Sequence, residues 1–469
     1  MTASNPERAA ECLAGAGFSA DEARSWLAEK PVATADFSAD GKKFSDYWIR
    51  SGRLLARLPE KPHRTEREQA AASVLQEAAR DARVQFLRCH GDAVYDAVTA
   101  TRSRFVRVEE LVLRAADVVP GLVPTAQQIA AEEGCLQRDK SGLEIDQGLF
   151  LAAMLASPRS GRHLCHAMLL PRSEAQALLP RFERDGIVEL TGASVRRQGK
   201  AAIVTQSNPR FLNAEDETTL DGAEICVDIA LLDPRSEIAV MRGAPVEHPK
   251  YKGRHVFGAG INLTHLYHGR IPFVWYLQRD LGWVNKVYRG LAFPDDAPPD
   301  EFGGRTIEKP WIAAVEAFAI GGHCQALLVM DYVVAARDAF LTLPARKEGI
   351  IPGAANMRMP RFTGDRIARQ AVQYERRIEC DSPEGRLICD EIVEPGTMDA
   401  AIERVVGGLT NSGVVSAAGN RRAFRVTQEP FDTFRSYFAI YAREQAYCHF
   451  SPALISNLER FWNAQSRKP

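Results

Sequence analysis

An α/β core entered through a long all-helical segment is the architecture that this chain of 469 residues calls for, and three features lead to it. From residue 6 to about 186 apolar residues recur at helical spacing and the breaks fall at prolines 120, 124, 158 and 171. Beyond that point short apolar, β-branched runs alternate with helical stretches, as in parallel strands joined by helical crossovers. Two glycine-bearing turns, FGAGINL (257–263) and AIGGHCQ (319–325), each follow an extended apolar run. A helical domain over 1–190 and an α/β domain over 191–469, closed by helices near its C-terminal end, are the expected divisions.

The helical half is anchored by TEREQAAASVLQEAARDARVQFLRC (65–89), where Thr65 and Glu68 form the spacing of a capping box. Further helical stretches are SDYWIRSGRLLARL, VEELVLRAADVV, TAQQIAAEEGCL and LFLAAMLASP. In the second half, VRRQGKAAIVTQSNP (195–209) reads as a strand entering an Asn-Pro turn, ETTLDGAEICVDIALLD as a helix and EIAVMRG as a strand. FPDDAPPDEFGG (293–304) has the composition of a solvated surface loop, with an active-site lid as the alternative.

Composition excludes several functions. Hydrophobic residues make up 45% and charged residues 25%, and the net charge of -1 comes from interspersed signs. No one-signed field attracts nucleic acid or an anionic membrane, so neither is expected as a partner. The chain lacks an apolar run of roughly 18 residues and starts without a basic segment leading into an apolar one, which makes a cytoplasmic protein the expectation. Nine cysteines, spread singly from Cys12 to Cys448 without a CxxC pair, read as reduced, mostly buried thiols.

The chemistry lies in the glycine turns. The second opens a helix, so free N–H groups there, backed by the helix dipole, suit an anion or a carbonyl oxygen becoming one. Taken singly, each turn is better explained by close strand–helix packing. A dinucleotide site does not fit, because GxGxxG is incomplete in both places and no acidic residue follows where one is needed. Among the ten histidines, His265 and His268 are three apart, yet no acidic ligand is evident beside them, so no metal site is expected. Cys324 has no evident base and is not expected to act as a nucleophile.

Taken together and in order, NPRFLNA (208–214), HVFGAGINL (255–263), KPWIAAVEAFAIGGHCQALLVMDYVVAA (309–336) and EGIIPGAANMRMPRFTG (348–364) resemble the enoyl-CoA hydratase/isomerase (crotonase) superfamily over about half the chain. The resemblance implies a crotonase-like ββα spiral core, a homotrimer or hexamer, and an oxyanion hole formed by the N–H groups of Ile261 and Gly322. Hydratases of the superfamily carry glutamates where this chain has Gln325 and Ala345. Neither residue takes a proton at neutral pH, so hydration by paired carboxylates is excluded.

The long helical N-terminal half together with GAGIN, GGHCQ and EGIIPGAANMRMPRF resembles a branch of the superfamily that uses O2 with no metal or organic cofactor. That branch converts 3,5-dihydroxyphenylacetyl-CoA to 3,5-dihydroxyphenylglyoxylate and CoA, toward a dihydroxyphenylglycine building block of antibiotics. An aryl-acetyl-CoA and O2 are therefore the implied substrates. Gln325 would orient the oxygenated intermediate, and Arg279 would polarise the thioester or peroxide unless it serves a surface ion pair. Glu215 would reach the ring hydroxyls, or else start a surface helix. Lys252, Arg254 and His255 suit the CoA phosphates, with a solvated charge cluster as the alternative. Ile350, beside the GIIPG turn, is the candidate for an oxygen pocket walled with Val315, Ile320, Leu328 and Ile351, residues that also suit an ordinary core. Two rivals remain: a cofactor-free hydrolase or isomerase of another aryl-CoA, and a non-catalytic acyl-CoA binding subunit.

Overall fold

In the computed structural model, which describes residues 5–295, 304–411 and 413–469, the capping box forms as its spacing requires. Thr65 Oγ1 accepts from the Glu68 amide at 3.3 Å and Glu68 Oε2 accepts from the Thr65 amide at 2.8 Å. Both amides would otherwise be orphaned at the start of the 33-residue helix Glu66–Val98. On this helix Phe86 packs against Phe44 and Trp48, with ring centroids 5.2 and 5.6 Å apart. Asp40 accepts from His90 Nε2 in the same interior, at 2.7 Å. The stretch TAQQIAAEEGCL is helical only over Ala126–Ala130, where Thr125 and Gln128 repeat the capping box, and Gly134 at φ +82° lies beyond its end.

These helices belong to one of two compact units, Met1–Leu164 with Phe438–Phe450; the other comprises Cys165–Tyr437 with Ser451–Pro469. The loop expected at 293–304 falls mostly on residues 296–303, outside the described residues. Among the described residues, no helix is long and apolar enough to cross a membrane.

In the second unit the expected strand at 195–206 proves to be two. After β1 (Ile187–Leu190), β2 (Ala193–Gln198) and β3 (Ala201–Gln206) pair antiparallel across a tight turn at Gly199, whose φ of +58° suits glycine. β4 (Ile238–Gly243) lies parallel to β3, joined to it by the helix Leu220–Leu232. There follow β5 (Val256–Gly258), the small antiparallel pair β6 (Leu291–Ala292) and β7 (Thr306–Ile307), and β8 (Trp311–Ile320). β9 (Tyr332–Ala336), β10 (Phe340–Thr342), β11 (Ile378–Glu379) and β12 (Glu391–Val393) complete the set.

β8 is the organising strand. Its first half pairs parallel with β4 and β9, and its second half pairs parallel with β5 and β10. The change of partners occurs around Ala317, at φ +62°, a left-handed conformation that costs a residue with a Cβ about 1–2 kcal/mol. On the sheet face before this point, Ile203, Ile238, Val240, Ile312, Ala314 and Val334 project to one side, as a period of two dictates. Met398, Ala401, Ile402, Val405 and Val406 of the helix Met398–Thr410 cover them. Burial of each larger side chain contributes roughly 1.5–3 kcal/mol.

A buried ionic cluster ties later helices together. Glu429 is completely buried and accepts from Arg358 Nε and Nη2, each at 2.9 Å, with Arg289 and Arg361 completing a ring of cations. Burial alone would raise this carboxyl, but Arg358, Arg289 and Arg361 hold it down at about 2. A carboxylate with a depressed folded-state pKa contributes stability above its ordinary value and loses it as pH falls through the folded value. Stability should therefore decline between about pH 4.5 and 2. Glu429→Gln, which leaves the buried Arg358 and Arg289 and the half-buried Arg361 short of an anion, is expected to cost about 3–5 kcal/mol and to flatten that acid limb, read from denaturant midpoints across pH.

Candidate active site

β5 and β8 are parallel neighbours with Gly258 opposite Ala319, so the chain leaves both strands at the same level and turns twice side by side. Gly260 at φ +78° and Gly321 at φ +53° make these turns in a region that favours glycine. A Cβ on Gly260 would lie 2.9 Å from the Ile320 carbonyl oxygen and 3.3 Å from the Gly322 nitrogen. Only two glycines allow backbones this close.

His323 holds the two turns together. Its Nδ1 accepts from the Gly260 amide at 3.0 Å and its Nε2 lies 2.7 Å from Gln206 Oε1. Burial lowers the imidazole to about 4, so the ring is neutral. With Nδ1 accepting, the proton sits on Nε2 and is donated to Gln206. Gly258 is small for the same reason, since a Cβ there would sit 2.2–2.3 Å from the His323 ring.

The first turn is further pinned by a short bridge between Glu215 and Ile261. The Glu215 amide donates to the Gly260 carbonyl and the Asn262 amide to the Glu215 carbonyl, both at 2.7 Å. Backbone groups of a paired strand alternate in direction, which turns the Ile261 N–H away from this bridge. Neither the Ile261 nor the Gly322 amide donates to any acceptor among the described residues. Gly322 is also the first residue of the helix Gly322–Leu327.

Arg279 lies behind this pair, 3% exposed. Its Nε donates to Glu215 Oε1 at 2.8 Å, Nη1 to Asp280 Oδ1 at 2.8 Å and Gln325 Oε1 at 3.3 Å, and Nη2 to the Gly322 carbonyl at 2.7 Å. Its guanidinium also stacks over Trp283, 5.0 Å from the ring centroid. Glu215 is 6% exposed. The surface ion pair weighed for Arg279 and the surface helix start weighed for Glu215 are thus both replaced by one buried network. Glycine is again required at 353, at φ +44°, because a Cβ would meet Gln325 Oε1 at 2.3 Å and Asp280 Oδ2 at 2.7 Å.

Ile261, Gly322, Gln325, Arg279 and Glu215 are therefore brought together. Arg254 instead makes a bidentate pair with Asp338 at 2.7 and 2.8 Å, and His255 Nδ1 lies 2.9 Å from the Gly243 carbonyl oxygen. Ile350 is half-buried just past Gly349, its amide donating to the Ala345 carbonyl at 3.1 Å. Burial pushes the Cys324 thiol up to about 12, so it stays protonated. Sequence reasoning missed His323, read as part of a glycine turn, and Asp280, hidden beside Arg279. It also passed over Glu348, a buried acid three residues beyond the Ala345 that it did weigh.

His265 does have acidic partners that the sequence left unseen. Glu217 Oε1 lies 2.9 Å and Asp216 Oδ2 3.6 Å from its Nδ1. Asp216 already accepts from Asn208, Asn262 and both donors of Thr218, so the group reads as a saturated hydrogen-bond cluster. His268 lies apart from it, with Nε2 3.0 Å from the Arg467 carbonyl oxygen.

A sheet that shares one strand between two ladders and turns twice beside itself on glycines is a crotonase fold. The sequence model of the family described as enoyl-CoA hydratase/isomerase matches residues 304–410. The (3,5-dihydroxyphenyl)acetyl-CoA 1,2-dioxygenase of Amycolatopsis orientalis is 45% identical over 434 residues, covering 92% of this chain and 98% of its own. The chain belongs to the enoyl-CoA hydratase/isomerase family. A short-chain-enoyl-CoA hydratase of Clostridium acetobutylicum is 25% identical over 238 residues, covering 50% of this chain and 82% of its own. Among solved structures, an enoyl-CoA hydratase from Mycobacterium avium subsp. paratuberculosis superposes with a TM-score of 0.48 at 18% identity, over 60% of this chain and 98% of its own.

Gly258→Ala is expected to drive a methyl group into the His323 ring and detach it from Gly260. A buried donor left unsatisfied costs about 1–3 kcal/mol, so the variant should unfold at lower denaturant and lose hydrogen-exchange protection at the Gly260 amide.

Proposed function

We propose that this protein converts 3,5-dihydroxyphenylacetyl-CoA and O2 to 3,5-dihydroxyphenylglyoxylate and free CoA, without a metal or an organic cofactor. The observation that carries the reading is the pair of unengaged amides at Ile261 and Gly322, in a chain 45% identical to a dioxygenase of that substrate. Both donors aim where a thioester oxygen becomes an enolate oxygen, and loss of one such donor typically costs about 2.7–4 kcal/mol of transition-state stabilisation.

The α-hydrogens between an aryl ring and a thioester are acidic, and the hole makes them more so. The enolate passes an electron to O2, and the radical pair combines into a peroxide at the α-carbon. The peroxide attacks the thioester carbonyl within the same hole and expels the CoA thiolate. Loss of the second α-proton then breaks the O–O bond and leaves the α-keto acid. Both oxygen atoms enter the product, and neither water nor a reductant is consumed. The substrate itself supplies the electrons that a flavin or iron supplies elsewhere.

Arg279 fixes Gly322 through its carbonyl and holds Gln325 Oε1, which leaves the Gln325 amide NH2 to orient the peroxide. Glu215 Oε2, which lacks a hydrogen-bond donor among the described residues, is assigned to a ring hydroxyl. Ile350 lines the space for O2. The CoA phosphates fall to the basic stretch before β5, where Arg254 is paired with Asp338 and Lys252 carries no ion pair among the described residues. Glutamine at 325 keeps the site from hydrating a double bond, since it cannot take a proton.

Metal-stripped protein incubated with 3,5-dihydroxyphenylacetyl-CoA in air should show equimolar O2 uptake and CoA release, with neither under nitrogen. CoA release under nitrogen would make the protein a thioesterase, and silence in both atmospheres a binding subunit or an enzyme of another thioester.

A further inference from the structure

The enolate chemistry needs a base, and none of the residues discussed above is free to be one. Glu215 and Asp280 are both bound to Arg279, Gln325 does not ionise, and His323 has its accepting nitrogen occupied by Gly260. One further carboxylate stands at the glycine turns. Glu348 ends the helix Ala345–Glu348, which packs on the helices Ala355–Tyr374 and Pro452–Trp462.

Resting on the function proposed above, we propose that the Glu348 carboxylate is the general base that takes the α-proton, forming the enolate beside the Ile261 and Gly322 amides. The α-carbon–hydrogen bond breaks, its proton moves to a Glu348 oxygen, and its electron pair passes into the enolate held by the two amides. The proton afterwards leaves on the thiolate expelled as CoA, which returns Glu348 to its carboxylate form.

Three observations support this. The first is position: a Cβ built on Gly321 would lie 3.9 and 4.0 Å from the two Glu348 oxygens and 3.5 Å from the Gly260 Cα. One point is thus in van der Waals reach of the carboxylate and of Gly260 and Gly321, the residues that immediately precede the two free amides. The second is the lack of a partner. Glu348 is 8% exposed, yet its carboxylate makes no hydrogen bond and no ion pair among the described residues. A buried acid left unpaired is costly to keep, and Glu215, Asp280 and Glu429 in the same unit all have cations. The third is basicity: burial, and behind it the charge of Glu375, push Glu348 up to about 7. Glu375 is itself paired with Lys347 and Arg346, at 2.6 and 3.4 Å. A base poised near the working pH combines ionisation with proton affinity.

The test separates proton removal from oxygen chemistry. Full-length protein under nitrogen in D2O is given 3,5-dihydroxyphenylacetyl-CoA, α-hydrogen exchange is followed by NMR, and O2 uptake is measured separately in air. Glu348→Gln is expected to lower both rates about hundredfold or more while thioester binding, followed by calorimetry, is retained. The acid limb near pH 7 in the parent rate profile should disappear with it. Glu348→Gln that keeps either rate close to that of the parent overturns the assignment. If that variant melts early, Glu348→Asp decides instead: a shortened base with an unchanged melting temperature should lower exchange about tenfold or more, and unchanged exchange overturns the proposal. A parent that exchanges the α-hydrogen but takes up no O2 would sink the dioxygenase reading alone, with Glu348 still judged on exchange.

Discussion

Strand β8 has to serve two ladders, and most of the site follows from how it does so. Its first half is committed to β4 and β9 and its second to β5 and β10, with Ala317 held left-handed between them. The cost of that residue, about 1–2 kcal/mol, is small against the apolar face that the first half buries. Because the second half is registered with β5, the turns that leave the two strands lie side by side. The neutral His323 ring then bonds one turn from the other, and the Ile261 and Gly322 amides are left without an acceptor among the described residues.

Charge at the site is distributed unevenly. Arg279 has two carboxylates, a side-chain amide and a carbonyl as partners, and each bond orients a group near Gly322. In such a dry interior a fixed ion pair contributes geometry more than net stability, because desolvation of both charges offsets much of their attraction. Glu348 is the exception, buried without a cation among the described residues. An interior that binds every other acid at the site and leaves one unpaired has kept that acid adjustable.

The helices with capping signatures and the two glycine turns were legible because they depend on neighbours in sequence. Thr65 meets Glu68, and Gly321 precedes Gly322, whatever the rest of the chain does. The β2–β3 hairpin was not, since the strand signal of 195–206 runs through Gly199 and only its positive φ marks the turn. Arg279 could be singled out but not placed, because Glu215 and Gln325 lie 64 and 46 residues away. Glu348 was not legible for a different reason: the hydratase pattern points to Ala345, and only the helix Ala345–Glu348 brings a side chain three residues on to the same face. His323 was visible yet mute, because its role rests on the Gly260 amide 63 residues earlier.

The unit that holds the N-terminal helices is made from two separated stretches of chain, with Phe438–Phe450 joining Met1–Leu164. Within it, Gln137 Nε2 donates to the carbonyl of His449, 312 positions further along the chain, at 2.8 Å. A ribosome delivers the first of these stretches long before the second, so the first-made helices wait, incomplete, until residues 438–450 have emerged. Residues 165–437 of the second unit must be translated in the interval. Nascent chains stalled anywhere in that interval would expose the apolar surface that Phe438, Tyr441, Ala442 and Ala446 help to bury.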